Sequence, residues 1–249
     1  MSGRGRLLAG LLAIGALVPA CQEEPDGANL VHRAIEVHGG SVFENARTTF
    51  TFRGEDWLVE RRNGLFRYER AYRDPEDRAV VEGLTNDSTY RRVEGQAVEL
   101  DGEDREEVEL AVNSVVYFAF LPFRLDEPAA QVRFLESRRI RGEPYDAVEV
   151  TFREEGGGPD WEDRFVHWFH REEGTLDYVA YRYHRNGGGT RFREAVNRRQ
   201  VGGLLVQDYV NSHVEGIEDI ADYPDSLEVG ALEHVSDVEL EDVEVRPES

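Results

Sequence analysis

Cysteine, basic charge and catalytic motifs are all scarce in this sequence of 249 residues. The single cysteine, Cys21, excludes a disulfide within the chain, so the fold must be stabilised by its core alone. There are 29 basic residues, all of them arginine, against 51 acidic ones, which gives a net charge of −22. Such an acidic surface repels phosphate backbones and excludes nucleic acid as a partner. Two interpretations of the acid excess stay open. It is an adaptation to high salt, where screening removes the repulsion between the acidic residues, or it has no role.

Catalytic signatures are missing as well. The sequence has no Gly-x-Ser-x-Gly elbow, no P-loop, no dinucleotide-binding fingerprint and no His-Glu-x-x-His zinc helix. His167 and His170 lie three residues apart on a predicted strand, so their side chains face opposite sides and cannot form a local metal pair. We therefore predict a protein that is not an enzyme, with no cofactor, no metal and structural roles for its histidines.

The N-terminal segment has the organisation of a secretory signal. Arg4 and Arg6 supply positive charge, and residues 7–17 form an apolar run that is too short to span a bilayer. Residues 18–21 read Val-Pro-Ala-Cys. They resemble the lipobox of bacterial lipoproteins, in which the cysteine, here Cys21, becomes the acylated first residue of the mature protein.

The lipobox resemblance implies three acyl chains on Cys21, which would anchor the protein firmly to a membrane. Gln22 follows the cysteine, and by resemblance to known sorting rules this favours the outer membrane, with the protein facing the periplasm. The alternative is an ordinary signal peptide cleaved near Ala20, which leaves Cys21 as a free thiol. We expect a signal peptide over residues 1–20, and the acylated cysteine with an acidic tether over residues 21–27.

Alternating apolar residues and turn signals predict two runs of antiparallel strands. The dipeptide Asn63-Gly64 is the strongest hairpin signal of the chain. The first run has strands at about 48–53, 57–60, 65–72, 78–84, 88–93 and 96–100. The second has strands at about 131–141, 145–154, 164–170, 176–184, 190–197 and 204–211. The tail from residue 227 predicts a final edge strand.

The strand over residues 164–170 carries large side chains on both faces. Phe165, His167 and Phe169 share one face, while Val166, Trp168 and His170 share the other. A sheet that is apolar on both sides must be covered on both sides or must bind something. The choice between a packed core and a ligand surface is therefore the main question that the sequence raises.

Two helices are predicted outside the strands. Asn29 is the predicted cap of the first, which ends at Gly39, and His38 in its last turn suits the negative end of the helix dipole. Asp104 is the predicted cap of the second, which ends before Pro122.

The end of the second helix is crowded with aromatic rings. Tyr117, Phe118, Phe120 and Phe123 fall within seven positions, so their rings point in more than one direction. Two interpretations stay open for this helix: it fills the open side of a curved sheet as ordinary core, or it forms a lid over an apolar groove.

Four short motifs, together with the order of the elements, carry a resemblance to a known family. They are Val37-His38-Gly39-Gly40, Leu121-Pro122-Phe123-Arg124-Leu125, Arg191-Phe192-Arg193-Glu194 and Gln207-Asp208-Tyr209-Val210. From about residue 28 to residue 245 the chain resembles an uncharacterised family of bacterial lipoproteins, which is similar to the periplasmic lipoprotein carriers and outer-membrane lipoprotein receptors of the LolA/LolB-like superfamily. The resemblance implies a mainly β, α+β fold with a single curved antiparallel sheet, an incomplete β-barrel closed by helices.

In that superfamily the concave sheet face and the helical lid bind acyl chains. The resemblance implies a half-barrel domain over residues 28–245, with a frayed tail over 246–249. We expect a monomer that binds an apolar ligand, namely an acyl chain, a lipid or a lipoprotein. The apolar groove is assigned to nine aromatic residues: Phe50, Phe52, Phe66, Tyr68, Phe118, Phe120, Phe123, Phe165 and Phe169. The alternative is a structural or protein-interaction lipoprotein of the envelope, without a small-molecule ligand.

Overall fold

The computed structural model describes residues 24–158 and 160–248. The predicted signal peptide, the predicted acylation site Cys21 and the first part of the predicted tether lie outside the described residues. Within the described part of the chain, none of the helices has both the length and the apolar character that a membrane span requires.

The described residues form four α-helices, with bounds α1 Gly27–His38, α2 Gly40–Glu44, α3 Gly102–Ala119 and α4 Tyr223–Glu228. Both predicted caps are wrong by about one turn. Asp26 caps α1 by accepting a hydrogen bond from the Ala28 N–H at 3.0 Å, and Asp101 caps α3 by accepting one from the Asp104 N–H at 2.9 Å. A capping side chain must lie just before the helix to accept hydrogen bonds from the free N–H groups of the first turn. Asn29 and Asp104 lie inside the first turn of their helices and therefore cannot cap them.

Fourteen strands lie in the same residues, and they form two antiparallel sheets. Sheet A has the order β14-β1-β2-β3-β4-β5-β6, and sheet B has the order β13-β12-β11-β10-β9-β8-β7. The first six strands are β1 Ala46–Phe52, β2 Glu55–Arg62, β3 Leu65–Arg73, β4 Ala79–Thr85, β5 Thr89–Val93 and β6 Gln96–Val98. The others are β7 Ala130–Ile140, β8 Glu143–Phe152, β9 Arg164–His170, β10 Leu176–Tyr183, β11 Gly189–Val201, β12 Leu204–His213, β13 Glu233–Val238 and β14 Glu241–Pro247.

The predicted α+β class and the open, incomplete barrel are confirmed, but the strands form two hydrogen-bonded sheets where a single sheet was expected. The break lies at Glu239 and Leu240, where the chain leaves sheet B and enters sheet A. Here side chains replace strand neighbours: the Leu240 N–H donates to the Asp208 carboxylate at 3.0 Å, and the Leu240 carbonyl accepts from Arg199. Asp208 and Arg199 also pair with each other at 3.1 Å. This clamp of Leu240, Asp208 and Arg199 lies where the hydrogen-bonded strand pairing of sheet B ends and that of sheet A begins.

The tail differs most from its prediction. Instead of one edge strand and a frayed end, it contains the last residues of α4 and two strands, with β13 at the edge of sheet B and β14 at the edge of sheet A. Residues 246 and 247 belong to β14, and the Glu248 N–H donates to the Asn45 carbonyl at 2.8 Å. Pairing with β1, which the local pattern could not reveal, orders this end of the chain.

Sheet B is covered on both faces. Its inner face, which carries Phe165 and Phe169, packs against α1 and the end of α3. Its outer face, which carries Trp168, packs against the segment 214–232, where Tyr223 is fully buried and stacks on Phe192 at 5.3 Å between ring centroids. The two apolar faces of β9 are thus explained mainly by two separate packed cores.

Candidate ligand-binding site

Helix α3 lies between the two sheets and turns a different side to each. Val108, Val112 and Val116, spaced one turn apart, are buried against the inner face of sheet A. Tyr117 and Phe118 point toward sheet B, where the Tyr117 ring lies 5.5 Å from the Phe165 ring. The predicted spread of the aromatic rings is therefore confirmed, and it lets one helix contact both sheets.

Two cavities lie beside α3 and share its residues Ser114 and Phe118. The larger has a volume of about 290 Å³ and lies between α3 and sheet B; we call it the glycine-loop cavity because Gly156, Gly157 and Gly158 form one wall. Gly156 and Gly158 have positive φ angles of 85° and 76°, which a glycine adopts without strain.

The smaller cavity has a volume of about 180 Å³ and lies where α3 faces the junction of the two sheets. We call it the arginine cavity, because Arg193 of β11 lines it. Its other walls include Phe52 from sheet A, Tyr209 and Asn211 from β12, and Leu240 from the junction. The arginine cavity is therefore built from both sheets and the helix.

Phe118 forms the partition between the two cavities. Its ring lies 5.0 Å from the Tyr181 ring and 6.3 Å from the Phe165 ring, both of which line the glycine-loop cavity. The guanidinium carbon of Arg193 lies 3.7 Å from the centroid of the same ring, on the side of the arginine cavity. Movement of this one side chain would join the two spaces.

Arg193 is buried without a carboxylate partner among the described residues. It is only 9 % exposed, and its Nε and Nη1 atoms make no hydrogen bond within the described part of the chain. Its Nη2 donates to the Tyr181 hydroxyl at 3.3 Å. Burying a charge is costly unless it is paired, so this guanidinium is stabilised only in part, by one hydroxyl and by the Phe118 ring.

The charges of the glycine-loop cavity, in contrast, are paired. Arg124 donates to Glu127 at 3.0 Å, and Arg185 forms an ion pair with Asp160 at 2.8 Å. Asp163 accepts a hydrogen bond from the backbone N–H of residue 184 at 3.1 Å, and burial raises the pKa of its carboxyl group. Little unbalanced charge is left in this cavity, which makes it suited to an apolar group.

Two buried histidines near the helices are neutral. Burial, with the charge of Arg198, lowers the pKa of His38 to about 4, and its Nε2 accepts a hydrogen bond from the Leu176 N–H at 3.2 Å. Its predicted role as a positive group at the helix end is therefore wrong. Burial lowers the pKa of His167 to about 3, and its ring stacks at 6.2 Å on Phe165.

The two histidines of β9 face opposite sides, as predicted: His167 contacts the inner core, and His170 packs against Tyr145 on the outer side. Across residues 24–158 and 160–248, no group of three or more potential ligand side chains is arranged to hold a metal ion.

The nine residues assigned to the groove are divided by the structure. Phe52, Phe118 and Phe165 line the two cavities. The remaining six are packed into or against the cores: Phe50, Tyr68, Phe120 and Phe123 between α3 and sheet A, Phe66 at the rim of that core, and Phe169 under α1. The open question about α3 thus has a divided answer, since the helix fills the core with one side and lines cavities with the other.

Arg193, Gln207 and Tyr209 are among the cavity residues that were not assigned from the sequence. All three lie in motifs that carried the family resemblance. Strand alternation was the available signal, because it puts Arg193 on the face opposite Phe192 and thus on the inner side of sheet B. The alternation could not show that Arg193 would be left without an acidic partner.

Comparison with known proteins adds a family and a fold. The model of a family of unknown function (DUF6503) matches residues 96–240. The LolA superfamily protein NE2245 from Nitrosomonas europaea is similar in structure, with a TM-score of 0.51 and 10 % identity over 90 % of this chain and 94 % of that one. A proposed outer membrane lipoprotein-sorting protein domain from Vibrio parahaemolyticus gives a TM-score of 0.46 and 8 % identity over 88 % and 92 %. No curated protein matches. The LolA-like fold expected from the sequence is confirmed.

Proposed function

The chain belongs to the DUF6503 family and has a LolA-like fold, and we propose that it is a membrane-anchored, non-catalytic lipoprotein whose half-barrel binds an apolar ligand in the cell envelope. The ligand class is an acyl chain, carried by a lipid or by a lipoprotein. The half-barrel domain, expected over residues 28–245, extends to Pro247 at the end of β14, and the protein acts as a monomer.

The observation that carries this proposal is the pair of cavities beside α3. Small-molecule sites usually have volumes of about 300–1,000 Å³ and apolar walls with a few polar groups. The two cavities together reach this range, and aromatic rings such as Phe52, Phe118, Phe165 and Tyr181 line them. An elongated apolar group that displaced the Phe118 ring would have access to both.

The location follows from the N-terminal segment. Acylation of Cys21 would hold the domain at a membrane surface through the short tether, and Gln22 favours the outer membrane with the domain in the periplasm. A ligand taken from a lipid surface would then have only a short distance to travel.

A structural or protein-interaction role is the second candidate, and it fits the structure less well. Such a protein needs no internal cavity and would bind a partner through a free sheet edge. Among the described residues, the longest edge strand is β7, and it carries Arg133, Glu136, Arg138 and Arg139. Charged side chains on an edge strand discourage the addition of another strand.

Native mass spectrometry of the chain from Gln22 onward tests the proposal. This chain retains every contact within residues 24–158 and 160–248, including both sheets and their cores. We expect acyl species to co-purify with it, and added hexadecanol to bind. The Ser114→Trp variant fills the space that the two cavities share and should lose most of the bound lipid. Glu107→Trp on the exposed side of α3 is the matched control. A wild-type chain that carries no lipid and does not bind added hexadecanol would refute the proposal.

A further inference from the structure

We infer that the ligand is an anionic amphiphile, a long-chain carboxylate, whose head group pairs with Arg193 while its chain extends along α3. This inference rests on the proposed function and adds the chemistry of the head group. It concerns a position that the family resemblance does not assign.

The charge of the arginine cavity differs from that of the whole chain. Although the net charge is −22, the cavity is lined by two arginines and by no acidic side chain. Arg53 is exposed at the turn between β1 and β2, where its guanidinium lies 5.0 Å from the centroid of the Phe52 ring. Arg193 is buried further in. Two positive groups at different depths favour an anion at this place against the field of the remaining surface.

Neighbouring arginines show that Arg193 is a special case. Arg199, on the same strand, pairs with Asp208 at 3.1 Å, and Arg198 pairs with Asp177. Arg193 has no acidic partner within the described residues, although it is more deeply buried than either. A guanidinium is always charged at neutral pH, so its two unsatisfied N–H groups cannot be relieved by loss of a proton. An anion from outside the chain would satisfy them.

The geometry of the unsatisfied atoms suits a carboxylate. Nε and Nη1 lie on two different edges of the planar guanidinium, and each shares its edge with Nη2, whose bond to Tyr181 is long at 3.3 Å. A carboxylate can accept from either edge with both oxygens when Nη2 turns from the Tyr181 hydroxyl to the anion. Asn211 lies directly opposite Arg193 in the β11–β12 ladder, and its Oδ1 also lacks a partner among the described residues. Because the two ends of an amide exchange by rotation, Asn211 can turn an N–H toward a bound anion.

The apolar chain of the ligand would extend past Phe118. The stacking of Phe118 on the guanidinium at 3.7 Å covers the charge when no anion is bound. On the other side of this ring the glycine-loop cavity offers Phe152, Phe165 and Tyr181 as apolar walls, and the charges there are already paired. The head group of the ligand would therefore bind in the arginine cavity, and its apolar chain would lie in the glycine-loop cavity.

Titration of the lipid-free chain from Gln22 onward with palmitate, hexadecanol and hexadecyl phosphate tests this inference. We expect the wild type to bind palmitate at least about tenfold more tightly than hexadecanol, which matches one charge-assisted pair. Arg193→Gln should lose this preference and leave the affinity for hexadecanol unchanged. Arg191→Gln, on the same strand outside the arginine cavity, is the matched control and should behave as the wild type.

The outcomes separate the inference from the proposed function. Equal affinity of the wild type for palmitate and hexadecanol overturns the inference and leaves an apolar site, and an unchanged preference in Arg193→Gln also overturns it. Failure of every ligand to bind overturns both. Tighter binding of hexadecyl phosphate than of palmitate overturns the carboxylate head group and assigns the arginine cavity to a phosphate.

A second readout does not depend on ligand. If Arg193 serves a bound anion and not the fold, Arg193→Gln should leave the melting temperature of the lipid-free protein unchanged or raised. A lowered melting temperature would assign Arg193 to the fold and overturn its role as a head-group receptor.

Discussion

His38 and His167 illustrate how burial sets the charge of a single residue. Burial lowers the pKa of His38 to about 4 and that of His167 to about 3, whereas a histidine in an unfolded chain has a pKa of about 6.5. Below about pH 6.5 the unfolded chain therefore binds protons that the folded chain does not. Stability that is fully present above this pH is lost as the pH falls toward the two lowered values.

This argument predicts that the free energy of unfolding falls by about 1 kcal/mol per histidine for each pH unit between about 6.5 and 4. His167→Phe fits between the rings of Phe165 and Phe169 and should flatten the pH dependence. Urea denaturation at a series of pH values measures the slope, and comparison with the wild type removes the contributions of the carboxylates. His234→Phe, at an exposed position, is the control. The same slope in wild type and His167→Phe would contradict the prediction.

Arg193 shows what could be predicted at the residue scale. Its place on the inner face follows from the alternation of β11, so the local pattern alone makes it a candidate. That it faces Val179 on one neighbouring strand and Asn211 on the other depends on the pairing of three strands. The lack of an acidic neighbour is a property of the assembled sheet, and no local pattern contains it.

At the scale of elements, a buried ion network joins α3 to sheet A. The fully buried carboxylate of Glu82 on β4 accepts from Arg70 at 2.7 Å and from Arg91 at 2.6 Å. Arg91 in turn donates to Asp104 in the first turn of α3 at 3.0 Å. Because α3 also lines both cavities, this network holds in place the element on which the proposed site is built.

Removal of the central carboxylate should therefore be costly. We expect Glu82→Ala to lower the free energy of unfolding by about 3 kcal/mol, because breaking a buried pair leaves a charge without its partner. The half-buried pair of Glu60 and Arg67, 2.7 Å apart on the same sheet, is the matched control, and Glu60→Ala should cost about 1 kcal/mol or less. Urea denaturation measures both values. Similar values for the two variants would show that Glu82 has no special role.

Elements with a strong local pattern were predictable, and those that depend on distant partners were not. Strand β9 has the predicted bounds, and α3 lies close to its predicted position, because alternation and helical spacing are visible in a short window. Helix α4 was not predicted because its burial depends on residues far away in the chain. Tyr223, and Ile220 just before the helix, pack in one core with Trp168 of β9 and Phe192 of β11. The division into two sheets was missed because the clamp at Leu240 joins residues that are far apart in the chain.

At the scale of the whole molecule, the proposed acylation of Cys21 would set the location. Cys21→Ser should abolish labelling by radioactive palmitate and move the protein from the membrane fraction to the soluble fraction, because no acyl chain would remain to hold it. Gln22→Asp is the companion variant: it should keep the label and shift the protein toward the inner membrane. Retention of Cys21→Ser in salt-washed membranes would contradict an acyl anchor.

The pairing of β1 with β14 also sets the order of events during biosynthesis. Ala46 lies opposite Pro247, so β1 gains its second neighbour only after about 200 further residues have been made. Contacts between such distant residues form slowly, because a long loop must close first. Val238 and Leu240, which complete the arginine cavity, arrive at the same late stage. Under the proposed function, a ligand would therefore bind only after the chain as far as Leu240 has been made and folded.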